Sequence, residues 1–167
     1  DFVGSNNINL LKPNGQFGTR IMGGNDSASP RYIHTEINPI TDLIYRKEDF
    51  PLLKYLDDDG LPVEPEYYVP IIPMVLVNGM KGIGTGFSTT IPCFNPIDII
   101  KNIQNKLDDK PYADMIPWYN GFNGKIEKIN DKQFITKGVY NIVGKSTLKI
   151  TELPIGKWTQ NYKEFLE

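Results

Sequence analysis

The chain has 167 residues, 40% of them hydrophobic and 23% charged, a composition typical of a folded globular protein rather than a disordered one. Its 18 Lys and Arg against 20 Asp and Glu give a net charge of -2, so there is no overall basic excess to attract nucleic acid, and such binding would need a local basic surface. The single cysteine, Cys93, excludes an internal disulfide, and the longest nearly apolar run, residues 69–77, is far shorter than the ~20 residues that span a bilayer. These features favour an intracellular protein with no membrane partner.

The first 30 residues are rich in Gly, Asn and Ser, which predicts loops and short strands. Apolar and polar residues then alternate over residues 32–37, and this period of two predicts a short strand. Tyr32 would begin the strand, and His34 would lie on the same face, although we interpret His34 as an incidental polar residue.

Turn and cap signals organise the middle of the chain. Asn38-Pro39 is a helix N-cap followed by proline at the first helical position, which predicts a short helix over about 39–45. Residues 57–60, Asp-Asp-Asp-Gly, predict a turn. Several prolines keep the following stretch extended, and residues 74–77 then favour a buried strand.

The second half begins with another cap signal, Asn95-Pro96, which predicts a helix ending near Asp108. Four β-prone runs follow, and the turns between them predict a meander. The runs are residues 125–129, 133–136, 139–143 and 147–151. The last residues have the pattern of a helix, and the pattern alone indicates an α+β chain in two parts.

The residues most suggestive of chemistry are 27–32, Ser-Ala-Ser-Pro-Arg-Tyr, which follow a glycine-rich turn. A free tyrosine has a pKa near ~10, so it is a poor nucleophile at neutral pH unless positive charge stabilises the phenolate. Arg31 is placed to supply such charge to Tyr32. A lone Pro-Arg-Tyr more often packs and hydrogen-bonds without any chemical role.

Further motifs occur in a fixed order around this stretch. They are VGSNN at 3–7, the run GQFGTR to PRY at 15–32, VEPE at 63–66, IIPMVLVNG at 71–79, GIGTG at 82–86 and ITELP at 150–154. On these motifs the chain closely resembles eukaryotic-type (type IIA) DNA topoisomerase II. The resemblance extends over essentially all 167 residues, which correspond to a central segment of a very large enzyme, so we expect the chain to be a fragment.

The resemblance implies an α+β fold with two parts. Residues 1–108 would form the end of the winged-helix nucleophile domain and its continuation, and residues 109–167 the start of a β-rich tower domain with mixed α/β structure. It also implies that Tyr32 is the nucleophile that forms a 5′-phosphotyrosyl link to DNA, and that Arg31 stabilises the phosphate. The whole enzyme would be an ATP-hydrolysing type II isomerase that passes one duplex through a double-strand break in another.

The glycine loop at 82–86 is a weak nucleotide-binding signal, because it lacks the lysine and spacing of a P-loop. By resemblance, Ile83 is instead the apolar wedge that inserts between base pairs and bends DNA, with Lys81 as a phosphate contact. The alternative is a purely structural role, in which Ile83 is a core residue in a tight turn. Further candidates for contacts to the DNA backbone are Arg20, Lys12 and Gln16, each of which is otherwise an ordinary surface residue.

The resemblance also implies cofactors and partners for the complete enzyme. These are Mg²⁺ and ATP, both bound outside this segment, together with double-stranded DNA and a second copy in a homodimer. We expect no metal site in the segment and no DNA cleavage by the segment alone. A cellular source implies the nucleus, and a large DNA virus implies the host cytoplasm or the virion. The alternative function is a non-catalytic module that binds and bends DNA.

Overall fold

The computed structural model describes residues 2–167. Within this range short helices alternate with antiparallel hairpins, and every named strand pairs only with its hairpin partner. The α+β fold class predicted from the sequence is therefore confirmed.

Residues 2–29 form the predicted loops, the predicted short strands are reduced to a single bridge at Leu11, and Pro30–Tyr32 forms a short 3-10 turn. The prediction of a strand over 32–37 is wrong, because Tyr32 belongs to this turn and only Ile37 forms a bridge, to Leu11. Pro30 fixes the backbone in the helical range at the first turn position, which overrides the alternating pattern. The end of the predicted strand pairs with the earlier chain, because the Lys12 N–H donates to the Glu36 carbonyl at 2.8 Å and the Asn38 N–H donates to the Leu10 carbonyl at 2.9 Å.

Helix α1, Pro39–Ile44, confirms the predicted helix and ends one residue before the prediction. The Asn38 side chain accepts a hydrogen bond of 3.3 Å from the Ile40 N–H, so the cap is the one that the sequence indicated. A second 3-10 segment, Lys47–Leu52, follows.

Strands β1, Tyr55–Asp58, and β2, Leu61–Pro65, form the first hairpin around the predicted turn. The strand predicted over 74–77 is wrong, because Met74–Asn78 is helix α2. Pro73 lacks the N–H that a strand ladder needs, whereas its carbonyl accepts from the Leu76 N–H at 2.9 Å and starts a helical turn. A run this short and apolar does not by itself distinguish a strand from a buried helix.

Strands β3, Met80–Gly84, and β4, Phe87–Ile91, form the second hairpin. Helix α3, Pro96–Leu107, then confirms the helix predicted from the second cap signal. Helix α2 packs against α3, and the buried hydrophobic residues are Ile44 of α1, Val77 of α2, Ile99 of α3 and Cys93.

The last part contains β5, Lys125–Asn130, β6, Gln133–Lys137, β7, Val139–Val143, β8, Thr147–Glu152, and helix α4, Thr159–Leu166. The four strands are confirmed, but the predicted meander is wrong because β5–β6 and β7–β8 are separate hairpins. Gly138 alone joins β6 to β7, and a Cβ there would lie within 3.1 Å of the Glu152 carbonyl carbon. The tight junction turns β7 towards β8 and away from β6.

Backbone contacts join the chain that precedes α3 to the chain that follows it. Phe94 forms a bridge with Pro117, and the Trp118 N–H donates to the Cys93 carbonyl at 2.7 Å. The domain boundary after residue 108 stays a prediction. Within residues 2–167, no helix combines the length and apolar character that crossing a bilayer requires.

Candidate functional site

Tyr32 ends the 3-10 turn, and its side chain is 63% exposed. Its backbone N–H donates to the Ser29 carbonyl at 2.8 Å, which fixes the turn. The guanidinium carbon of Arg31 lies 5.1 Å from the centroid of the Tyr32 ring, within the range of a cation–π contact. The structure therefore brings Arg31 and Tyr32 together, whereas His34 does not share a strand face with Tyr32, because neither residue lies in a strand.

We call residues 15–32 the tyrosine loop. Asp26 closes it, because one carboxylate oxygen accepts from the Thr19 N–H at 2.8 Å and the other from the Thr19 hydroxyl at 2.7 Å. Both hydrogen bonds lower the pKa of Asp26 below its ordinary value, and the one from the Thr19 backbone N–H has the larger effect. Gly18 has φ of +92°, and a Cβ there would lie 3.0 Å from the Asp26 carboxylate, so the closed loop requires glycine.

The start of the tyrosine loop lies against the chain that leaves Tyr32. A Cβ at Gly15 would be 2.8 Å from the His34 carbonyl oxygen and 2.9 Å from an Ile33 methyl carbon. The next residue, Gln16, is exposed, and its carbonyl accepts from the Ala28 N–H at 3.0 Å. Gln16 thus lies beside the turn that carries Tyr32, and its predicted DNA contact stays a prediction.

Two of the predicted DNA-contacting cations already have protein partners. Arg20 forms an ion pair of 2.5 Å with Glu152, whose side chain is only 8% exposed and also accepts from the Asn123 N–H at 3.2 Å. Lys12 forms an ion pair with Glu36 at the surface. The hydrogen bond from the Lys12 side chain is the main cause that lowers the pKa of the Glu36 carboxyl, and the lysine charge adds to it. Arg20 therefore joins the tyrosine loop to strand β8, and the predicted phosphate contacts of both cations stay predictions.

Ile83 and Lys81 lie on strand β3, where they pair across the hairpin with Ser88 and Thr90. Residues two apart in a strand point to the same face, so Ile83 and Lys81 share one face. The Ile83 side chain is 84% exposed, which excludes the alternative that it is a core residue. Lys81 is also exposed and forms no ion pair within residues 2–167.

A cavity of about 530 Å³ lies between the tyrosine loop and the base of the β3–β4 hairpin. Arg20 and Gly23 line it from the loop, and Met80 and Lys81 line it from the hairpin. Trp158 closes another side, where its ring contacts the Phe2 ring edge to face with centroids 5.2 Å apart. No hydrogen bond within residues 2–167 links the loop directly to the hairpin.

Carboxylates near Tyr32 do not converge on a common point. Asp26 is engaged by Thr19 and Glu36 by Lys12. In the part of the chain that the structure describes, no three His, Cys, Asp or Glu residues form a group suited to a metal ion. The described residues therefore do not fit a Mg²⁺ site.

The partners that hold these residues in place are not among the residues predicted from the sequence. Asp26 follows the glycine pair of the tyrosine loop, and an Asp in a turn often bonds to nearby backbone, which is a signal that local sequence contains. Glu152 and Asn7 bind segments far away in the chain, so no local pattern could have indicated them.

These features define a protein with an exposed tyrosine–arginine pair on a closed loop beside a hairpin with an apolar tip. The chain belongs to the family of the DNA gyrase/topoisomerase IV A subunit, whose model matches residues 1–167. It is 55% identical over 168 residues to DNA topoisomerase 2 of Pisum sativum and 53% identical over 171 residues to DNA topoisomerase 2 of Arabidopsis thaliana. Both alignments cover 100% of this chain, which spans 12% of each of these two curated relatives.

Among solved structures, the chain is similar to the crystal structure of the Plasmodium falciparum topoisomerase II DNA-binding, cleavage and re-ligation domain. The TM-score is 0.91 at 51% identity, and the match covers 99% of this chain and 23% of that one. The similarity therefore extends to the arrangement of the elements and not only to the sequence motifs.

Proposed function

We propose that the chain is the breakage-reunion segment of an ATP-dependent type IIA DNA topoisomerase. The observation that carries this proposal is the contact between Arg31 and an exposed Tyr32 on a closed loop, in a chain that belongs to a topoisomerase family. The whole protein would make a transient double-strand break and pass a second duplex through it.

In the proposed reaction, the Tyr32 oxygen attacks the phosphorus of a DNA phosphodiester. A bond forms between the tyrosine oxygen and phosphorus, and the bond from phosphorus to the 3′ oxygen breaks. The tyrosine loses a proton, the 3′ oxygen gains one, and the 5′ phosphate stays attached to Tyr32. One phosphodiester replaces another, so the reverse reaction reseals the strand without a further source of energy.

Arg31 contributes charge at the position where the reaction needs it. Its planar guanidinium can hold two phosphate oxygens at once and can stabilise the charge that builds up in the transition state. It already lies over the Tyr32 ring, so attacking and stabilising groups approach the phosphate from one turn. Catalysis would then depend mainly on how accurately the tyrosine loop places that turn.

The β3–β4 hairpin would bind and bend the DNA. Ile83 would enter between base pairs, while Lys81, on the same face, would contact a phosphate. Unstacking one step costs about a few kcal/mol, which the contacts made to bent DNA offset. Arg20, Lys12 and Gln16 would add contacts to the DNA backbone near the tyrosine loop.

The proposal extends to the organisation of the whole protein. Residues 1–108 would belong to the winged-helix nucleophile domain and its continuation, and residues 109–167 to the tower domain. The full-length protein would be a homodimer that uses Mg²⁺ and ATP bound elsewhere in its chain. The similarity to eukaryotic proteins favours a nuclear location, and a large DNA virus as the source would place the protein in the host cytoplasm or the virion.

The alternative of a non-catalytic DNA-bending module is less well supported, because the relatives described above are named as topoisomerases. A covalent-trapping assay tests the choice. The full-length protein is mixed with Mg²⁺ and a labelled duplex and denatured, and the DNA attached to protein is measured. We expect an adduct in the parent and none in Tyr32→Phe.

The matched control is Tyr140→Phe, because Tyr140 is also 63% exposed but lies on β7. This variant should form the adduct as the parent does. A folded, DNA-binding parent that forms no adduct would support the DNA-bending module instead.

A further inference from the structure

Outside the tyrosine loop, the Asn7 side chain takes part in more hydrogen bonds than any other side chain in residues 2–167. Its amide nitrogen lies 2.9, 3.1 and 3.0 Å from the carbonyl oxygens of Val77, Phe94 and Trp118, so its two N–H groups donate to three carbonyls, with one N–H shared between two of them. Its side-chain oxygen accepts from the Asn120 N–H at 2.8 Å. One half-buried amide thus joins backbone groups from three separate segments of the chain.

Two of those groups flank the β3–β4 hairpin, one on each side. Val77 lies in α2, just before β3, and Phe94 lies just after β4. Asn78 strengthens the same junction, because its side chain donates to the Ile8 carbonyl at 2.9 Å and accepts from the Ile8 N–H at 3.0 Å. The base of the hairpin is therefore bound from both sides to residues 7 and 8.

The same stretch continues to the segment that follows Tyr32. The Leu10 carbonyl accepts from the Asn38 N–H at 2.9 Å and from the Thr41 hydroxyl at 2.7 Å. The Lys12 N–H donates to the Glu36 carbonyl at 2.8 Å. We call residues 7–12 the linking segment, because one end binds the hairpin base and the other binds the chain just beyond Tyr32.

We propose that Asn7 is a positioning residue that fixes the Ile83 hairpin relative to Tyr32 and thereby couples DNA bending to DNA cleavage. The inference rests on the proposed function, in which Ile83 bends the DNA that Tyr32 attacks. Both groups must fit the same duplex, and no hydrogen bond within residues 2–167 joins them directly. The linking segment supplies the hydrogen-bonded route between them, and Asn7 holds its hairpin end.

The test uses the full-length protein and a set of labelled duplexes. One duplex is fully paired, and the others carry a single mismatched base pair that is moved stepwise away from the cleavage site. A mismatch lowers the cost of unstacking, so DNA with a mismatch at the bending step depends less on an accurately held wedge. The variant is Asn7→Ala, and the matched control is Asn6→Ala, because the Asn6 side chain makes no hydrogen bond within residues 2–167.

We expect Asn7→Ala to reduce covalent adduct on the paired duplex by about 10- to 100-fold, the range that a small misplacement causes. A mismatch at one particular step should restore most of that loss in Asn7→Ala and change the parent little. Asn6→Ala should behave as the parent on every duplex. A general loss of stability would lower adduct formation on all duplexes equally, so this rescue distinguishes positioning from folding.

An equal loss on all duplexes, or no loss at all, would overturn the inference. If Asn7→Ala lowers the melting temperature below the assay temperature, Asn78→Ala decides by the same criterion, because it removes only the two hydrogen bonds to Ile8. A parent that forms no Tyr32-dependent adduct would refute the proposed function, and this inference with it. A parent with an adduct but no rescue would refute the coupling alone.

Discussion

Arg20 and Glu152 stand 132 positions apart in the chain, and their guanidinium and carboxylate meet at 2.5 Å. The carboxylate is buried, whereas the arginine side chain is 46% exposed. An ion pair of this kind orients the tyrosine loop against β8.

Replacing Glu152 should therefore destabilise the protein. Glu152→Ala leaves the arginine without its partner and the Asn123 N–H without its acceptor, and we expect a loss of about 1–3 kcal/mol in the free energy of unfolding. Thermal melting of the purified protein measures it. Glu64→Gln, an exposed position on β2, serves as the control and should melt as the parent does. Equal melting temperatures for Glu152→Ala and the parent would contradict the prediction.

Gly15→Ala should impair cleavage through the backbone. The added Cβ would lie 2.8 Å from the His34 carbonyl oxygen, so the chain beyond Tyr32 would have to move. A shift of about 1 Å can cost on the order of 100-fold in rate. We expect the rate of covalent adduct formation to fall by at least tenfold, whereas the control Asn14→Ala, at the adjacent exposed position, retains it. Adduct formation at the parent rate in Gly15→Ala would show that the tyrosine loop does not need this close approach.

The pH dependence of the β5–β6 hairpin should follow Glu127. Hydrogen bonds from Lys125 and Lys137 lower the pKa of this carboxyl from 4.5 to about 2. A lowered carboxyl pKa stabilises the folded state above the ordinary pKa, and this contribution is lost as the pH falls through about 2. The carboxyl chemical shift of Glu127, followed by NMR, should titrate near this value.

Lys137→Met provides the control for this titration, because it removes one of the two lysine partners and leaves Lys125 in place. The pKa of Glu127 should rise in this variant. If Glu127 titrates at the ordinary carboxyl pKa in the parent, Lys125 and Lys137 do not form these hydrogen bonds with it in solution, and the prediction is wrong.

Ile83→Ala should weaken DNA bending without weakening the fold. Because Ile83 is 84% exposed, its truncation should change the free energy of unfolding by less than about 0.5 kcal/mol. We expect a smaller bend angle, measured by energy transfer between dyes at the two ends of a duplex. Ile142→Ala is the matched control, since Ile142 is 74% exposed on β7. Unchanged bending in Ile83→Ala would exclude a wedge at this position.

Local signals in the sequence were sufficient for much of the fold. The caps at Asn38 and Asn95 act within one turn of their helices, so the sequence alone predicted α1 and α3. The two strands that were wrongly predicted, at 32–37 and 74–77, both follow a proline that begins a helical turn. In both places the proline before the run, and not the apolar or alternating pattern of the run itself, decides the local structure.

The candidate site divides in the same way. Arg31 and Tyr32 are adjacent, so their contact is a property of the local sequence. The partners of Arg20 and Asn7 lie at distant positions in the chain, and neither composition nor residue spacing predicts such long-range pairs. A single sequence therefore indicated which residues to consider but not which of them were already engaged.

The hairpin tip also has a thermodynamic consequence. Ile83 and Phe87 are both 84% exposed, and their register with Ser88 and Gly84 places them on opposite faces of the β3–β4 hairpin. Burying apolar surface lowers the heat capacity, so a complex in which Ile83 enters the duplex should bind with an enthalpy that becomes more favourable on warming. Calorimetry at several temperatures would then give a binding enthalpy that decreases with temperature, and Ile83→Ala should make this temperature dependence weaker.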